Sequence, residues 1–255
     1  HYTIIDQKNS GVSVARNVGI KASNSKFIAL LDADDEWYPH FIEKALVLLK
    51  DYPEADLYCF AHRVYDASIG IFQPKQGLQS NFRGYVDDFF QSSLKGSVAK
   101  SSKVIVRKKA ITKIGGYPES AKVCEDIFVW IMLALNGKVA FDSYVATLVK
   151  QLPDNSRSKR TGEVPYPLFY FRSHKNLNQL PKNAKRYIRK IYLLQVYSAL
   201  IKQDKVKAKK ILEMWTINFP LISISLWILS ELNVSQFFLY FRKIQRKFLA
   251  KQYDK

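Results

Sequence analysis

Through the first 150 residues, short apolar runs alternate with stretches of helical period. Tyr2 to Ile5 has strand character, and Gly11 to Ala22 reads as a helix opened by Asn9, Ser10 and Gly11, with Val12, Ala15 and Ile20 as inward positions. Phe27 to Leu31 is a buried strand by pattern, Pro39 to Lys50 a second helix, and Asp56 to Tyr65 a further strand. The Gly, Gln, Pro and Ser of residues 66–84 predict a hairpin or loop. A helix is expected over 87–94, a strand over 103–107, and a short helix over 109–114 that ends at Gly115 and Gly116. Residues 125–136 have the period of a buried helix closed by Asn136 and Gly137, and Phe141 to Val149 returns as a strand. This alternation predicts an α/β fold built on a layered sheet.

Beyond residue 155 the pattern becomes helical. The expected division is a catalytic-type domain over 1–155, a linker over 156–181 and a basic helical region over 182–255. In the last of these, helices are expected at 183–202, 205–218 and 221–251, with Pro220 as a break. The apolar run 217–229 is shorter than a membrane-spanning helix requires and contains that proline. The last stretch interleaves Phe238, Tyr240, Phe241, Phe248 and Leu249 with Arg242, Lys243, Arg246 and Lys247. That pattern suits either the headgroup region of an anionic bilayer or a helix packed on the main domain with solvated lysines.

Composition sharpens this picture in three ways. A hydrophobic content of 47% with 14% aromatic residues excludes a disordered polymer. The net charge of +18 is unevenly placed, since residues 182–255 carry 16 basic and 4 acidic side chains. Nucleic acid is a disfavoured partner because no nucleic-acid motif accompanies the charge. The two cysteines, Cys59 and Cys124, match no zinc or redox spacing. No charged-then-apolar leader is visible at the start, and a cytoplasmic protein, peripheral at the inner face of the membrane, is expected.

The candidate chemistry begins at LDADDEWYP, residues 31–39. Two carboxylates at i and i+2 of an extended segment share a side, so Asp32 and Asp34 can face one ligand. Mg²⁺ or Mn²⁺ is typically held by one or two carboxylates together with substrate phosphate oxygens. The alternative is a helix start, with Asp34 or Asp35 capping the helix announced by Pro39. A second acidic pair, Glu125 and Asp126, opens the apolar helix that contains Trp130. Adjacent acids on a helix point about 100° apart, so the two can have different tasks.

Three motifs now stand in order. They are G-x-S-x-A-R-N-x-G at Gly11 to Gly19, D-x-D at Asp32 to Asp34, and G-G-Y-x-E at Gly115 to Glu119 followed by the Glu125–Asp126 pair. Together they resemble glycosyltransferase family 2, inverting sugar transferases of GT-A fold, over roughly residues 1–150. The resemblance implies a Rossmann-like layered sheet lacking its first βα units. It also implies a nucleotide-diphosphate sugar donor, most simply a UDP-sugar, and a glycan or lipid-linked acceptor in cell-surface polysaccharide or lipopolysaccharide assembly. By the same resemblance Gly11, Arg16, Asp32 and Asp34 serve the donor, and Asp34 with Asp32 serves the metal. Asp126 is the implied base, with Glu125 and Trp130 toward the acceptor. For Trp130, a core position on an apolar helix competes with an acceptor contact.

Two features depart from the family pattern. No histidine follows the strand at 141–149, where Lys150 or Arg157 supplies charge alone, and the Q-x-x-R-W signature of processive synthases is absent. The absent signature, together with the lack of an expected spanning helix, favours addition of single sugars. A catalytically inactive membrane-associated module is the competing expectation.

Overall fold

The structure is a computed structural model that describes residues 2–151, 162–215 and 218. It divides into two compact units that meet in sequence between Leu152 and Pro153.

The first unit is organised by two long strands, β3 (Ala55–Asp66) and β7 (Lys138–Gln151), which pair in parallel. Both are buried on two faces, which explains their nearly unbroken apolar character. Around them the described sheet has the order β1-β6-β3-β7-β2, where β1 is Phe27–Ala29, β2 is Glu36–Trp37 and β6 is Val104–Arg107. Strand β6 is antiparallel to both β1 and β3. Two short additions complete it: β4 (Gly70–Phe72) forms a hairpin with β3, and β5 (Arg83–Tyr85) pairs with β7.

Helices α1 (Val12–Ala22), α2 (Phe41–Asp51), α3 (Phe89–Lys95), α4 (Lys108–Lys113) and α5 (Glu125–Asn136) belong to the same unit. Helix α2 inserts Phe41, Ala45 and Leu48 into a core with Tyr58, Phe60, Ile105 and Ala140, and Trp37 stacks on Phe41 with ring centroids 4.3 Å apart. Helix α5 buries Phe128, Val129, Trp130, Ile131 and Leu133, as its sequence period predicts.

Three expectations change. Tyr2 to Ile5 is not a strand: Tyr2 is 89% and Ile4 82% exposed, with no neighbouring strand among the described residues to take their backbone groups. In α1 the inward positions are not Val12 and Ala15, which are exposed, but Ser13, Arg16, Asn17 and Ile20. The helical spacing holds, yet three of the four positions are polar, and two of these, Arg16 and Asn17, have partners on other elements. The acids of residues 32–35 do not extend β1: the Asp35 amide donates to the Asp32 carbonyl at 3.1 Å, closing a turn with Ala33 and Asp34 at its centre.

In the second unit the first described helix begins at Tyr166. Residues 166–171 and 174–178, inside the stretch expected as linker, form helices α6 (Tyr166–Phe171) and α7 (His174–Asn178). Helices α8 (Lys182–Ile201) and α9 (Lys205–Trp215) form an antiparallel pair. Asp204 caps α9, its carboxylate accepting from the Lys207 amide at 3.0 Å, and buried Trp215 donates to the Leu168 carbonyl at 3.2 Å. The expected helix at 221–251, the apolar run 217–229, the terminal aromatic-basic stretch and Arg157 lie outside the described residues. Among the described residues, no helix is long and apolar enough to cross a membrane.

Candidate active site

Arg16 joins the two acidic pairs that lie 93 positions apart in sequence. It projects from α1, and its Nη2 reaches Asp32 Oδ1 at 2.7 Å while Nη1 reaches Glu125 Oε1 at 3.0 Å. The guanidinium also lies over the Tyr117 ring, 5.1 Å from its centroid. Its side chain is only 13% exposed, so these contacts replace solvent rather than decorate a surface. The result ties the turn after β1 to the start of α5.

The next residue of α1 holds the third motif. Asn17 donates from Nδ2 to the Tyr117 carbonyl at 2.8 Å and to Glu119 Oε1 at 3.1 Å, while its Oδ1 accepts from the Tyr117 amide at 2.8 Å. Gly116 makes this approach possible. Its φ is +74°, and a Cβ there would stand 2.7 Å from Asn17 Oδ1. The Gly-Gly-Tyr segment is therefore a backbone stand that sets Tyr117 under Arg16. Tyr117 is 1% exposed, its hydroxyl has no hydrogen-bond partner among the described residues, and burial pushes its pKa up.

The acidic turn has its own support. The Asp32 amide donates to Ser102 Oγ at 3.0 Å, and that hydroxyl donates to Asp35 Oδ2 at 2.5 Å. Asp35 Oδ1 accepts from the Lys150 amide at 2.9 Å, and the Ser102 carbonyl accepts from Trp37 Nε1 and Thr147 Oγ1. Asp35 is thus a structural acid that binds the turn to β7, with burial raising its pKa against these hydrogen bonds. Neither Asp34 nor Asp35 caps α2, which starts at Phe41 behind His40 in the left-handed region. Lys150, expected to supply charge, has its ammonium on Glu36.

Asp34, at the tip, is exposed and makes no ion pair or hydrogen bond among the described residues. Asp32 has one oxygen on Arg16 and a side chain 38% exposed. No group of three or more possible metal ligands exists among the described residues, which excludes a protein-only cage there. One free carboxylate and one half-engaged neighbour nevertheless fit a hard cation that brings phosphate oxygens with it.

At the head of α5 the two acids separate as their 100° offset requires. Glu125 is 8% exposed and gives Oε1 to Arg16, so little of the carboxylate expected toward the acceptor is open. Asp126 is partly exposed and accepts from the Ile127 amide at 2.7 Å. Loss of hydration, then the negative charge of Glu125, pushes its pKa up to about 6. For Trp130 the core alternative holds. The residue is 3% exposed and edge-on to Tyr117 in the core, leaving no ring face for a sugar. Gly11 precedes α1 with φ +93° and exposed surroundings, its amide accepted by Asn9 Oδ1 at 3.2 Å. A cleft of about 360 Å³ opens beside Arg16, lined also by Gly19, Ile20, Ser23 and residues 27–31.

Residues 1–115 match the model of glycosyl transferase family 2. Over that stretch the chain is similar to family 2. Family 2 proteins are transferases, and the curated relatives bear glycosyltransferase names. An uncharacterized glycosyltransferase of Escherichia coli, YibD, is 44% identical over 48 residues, 19% of this chain and 14% of its own length. Another, MJ1057 of Methanocaldococcus jannaschii, is 25% identical over 197 residues, 76% of this chain and 64% of its own. The chain thus spans less than two thirds of either relative. Among solved structures, S. aureus TarS residues 1–349 in complex with UDP-GlcNAc superposes with a TM-score of 0.58 at 13% identity, covering 83% of this chain and 63% of that one. A second S. aureus TarS structure gives 0.52 at 16% identity, covering 73% and 31%. The shared architecture is the GT-A fold.

Ser102, Asn17 and the Tyr117 hydroxyl are the site residues that sequence reasoning missed. Asn17 and Tyr117 stood inside recognised motifs, but Ser102 carried no signal.

Proposed function

We propose that the protein is a metal-dependent inverting glycosyltransferase that moves a sugar from a nucleotide-diphosphate donor to a hydroxyl of a glycan or lipid-linked acceptor in cell-surface polysaccharide assembly. The observation that carries the reading is Asp126, a carboxylate with pKa about 6 beside an arginine-bridged acidic turn. A base poised near neutral pH suits proton removal from a sugar hydroxyl. The UDP-GlcNAc bound by TarS supports a UDP-sugar as donor class.

In this reading Asp126 accepts the proton of the acceptor hydroxyl as its oxygen attacks the anomeric carbon. The bond to the diphosphate breaks on the opposite face, and configuration inverts. Arg16 holds Asp32 and Glu125 in place, so that of the two acids at the head of α5 Asp126 is the one Arg16 does not hold. Mg²⁺ or Mn²⁺, held by Asp34 with Asp32 nearby, would supply Lewis-acid stabilisation of the departing diphosphate. Asp34→Ala should abolish Mn²⁺-dependent binding of a UDP-sugar in calorimetry while leaving the melting temperature within about 2 °C, because the side chain is exposed and makes no ion pair or hydrogen bond among the described residues. Unchanged donor affinity would remove Asp34 from the metal role.

A further inference from the structure

A second cavity, of about 660 Å³, lies at the other end of β1 from the acidic turn. It is lined by the residues that lead into β1 and by those that leave β6 and form α4. That placement follows from the sheet: β1 and β6 are antiparallel, with Phe27 opposite Arg107, so the entry of one strand and the exit of the other share an edge. The run from Lys26 to Asp32 is six residues, or roughly 20 Å at about 3.3 Å per extended residue. The two ends of the strand carry opposite charge.

Five cationic side chains line the cavity: Lys26, Arg107, Lys108, Lys109 and Lys113. Two have structural tasks. Arg107 pairs with Asp56 at 3.0 Å and donates to the Ala55 carbonyl, with the Phe27 ring 4.9 Å from its guanidinium carbon. Lys108 donates to the carbonyls of Lys21 and Ser23, which fixes its ammonium at the rim. The other three, Lys26, Lys109 and Lys113, are exposed and make no ion pair among the described residues. No carboxylate lines the cavity. Like charges gathered on a concave wall repel one another, and an anion relieves that repulsion.

We infer that this cavity binds a phosphoryl or diphosphoryl group at a site separate from the acidic one. The volume admits more than an inorganic ion, and lysine stems supply apolar wall around a charged centre. Both a soluble phosphorylated compound and a phospholipid headgroup present this chemistry. In either case the ligand binds the first unit itself, independently of the basic region beyond residue 182.

The test uses the full chain without divalent metal. Titration with inorganic pyrophosphate in calorimetry should show one site whose affinity falls at least tenfold in Lys109→Glu/Lys113→Glu, and falls likewise in Lys26→Glu, which lies outside α4. The control Lys50→Glu/Lys95→Glu changes net charge equally at exposed lysines elsewhere and should keep the affinity. Sedimentation with phosphatidylglycerol vesicles separates the sources. A parallel loss there in the cavity variants assigns the headgroup, whereas loss of pyrophosphate binding alone assigns a soluble ligand. If the control falls as far as the cavity variants, or none of them falls, the site does not exist. Donor turnover in the same variants is expected to persist, so failure of this inference and failure of the transferase reading are distinguishable.

Discussion

Asp126 shows how one residue can serve chemistry against stability. Its folded pKa of about 6 lies above the usual value of 3.8, so between these values the folded state binds the proton more tightly than the unfolded chain. The carboxylate therefore costs nothing below about pH 4, destabilises increasingly from 4 to 6, and carries its full penalty above 6. Asp126→Asn removes that penalty. The expected outcome is a transfer rate reduced by about 10²–10⁴-fold and, at pH 8, a stability gain of roughly 1–3 kcal/mol that disappears as pH falls to 4. Parallel rate assays and melting curves check both halves. In the parent the rate should rise with pH through about 6. Near-normal turnover in the asparagine variant would end the base assignment. Asp126 was legible because a motif contains it. For Trp130 helical phase alone does not say whether the ring meets core or cleft, and here it meets Tyr117.

At the scale of elements, the site exists because α1 carries a polar pair on its inward face. Arg16 and Asn17 sit where a helical period expects apolar residues, and each is satisfied by a different distant segment. Asn17→Ala leaves the amide and carbonyl of buried Tyr117 without partners. A loss of about 2–3 kcal/mol is expected from chemical denaturation, together with weaker transfer as Tyr117 and Arg16 lose their seat. Retained stability would mean that Gly115 and Gly116 hold the loop unaided. Element type and order were readable from pattern for β3, β6, β7 and most helices, because burial period and glycine stops are local signals. The turn at residues 32–35 was not. It depends on Ser102 and the Lys150 amide, 67 and 115 positions away from Asp35, and no local spacing reports such contacts. The helices within 166–178 were likewise hidden, since they are too short for their period to stand out from a loop.

For the molecule as a whole, a second buried charge shapes stability independently of the site. Lys103 is fully buried, donating to Gln76 Oε1 at 2.9 Å and to the Ser97 carbonyl at 2.5 Å, with the Phe141 ring 5.7 Å from its ammonium. Gln76 Oε1 also faces His62 Nδ1 at 3.0 Å. Burial, then the neighbouring lysine charges, holds His62 neutral with its pKa pushed down to about 2, so His62 Nδ1 donates. No carboxylate compensates Lys103 among the described residues. Burial accordingly pushes its pKa down to about 7 from 10.5. Below pH 7 both folded and unfolded states carry the proton, and the full desolvation penalty applies. From about 7 to 10.5 the folded state has released a proton that the unfolded chain retains, so stability rises with pH. Asp126 acts in the opposite direction over a separate window, and the two penalties coincide between about pH 6 and 7. Lys103→Met fills similar volume without charge, and Gln76 keeps His62 as donor. The variant should be more stable than the parent by about 1–3 kcal/mol at pH 6, with the difference shrinking toward pH 10. Thermal unfolding of both proteins across that range decides it: a variant that melts lower at pH 6 would mean that the hydrogen bonds to Gln76 and Ser97 outweigh the burial of the charge.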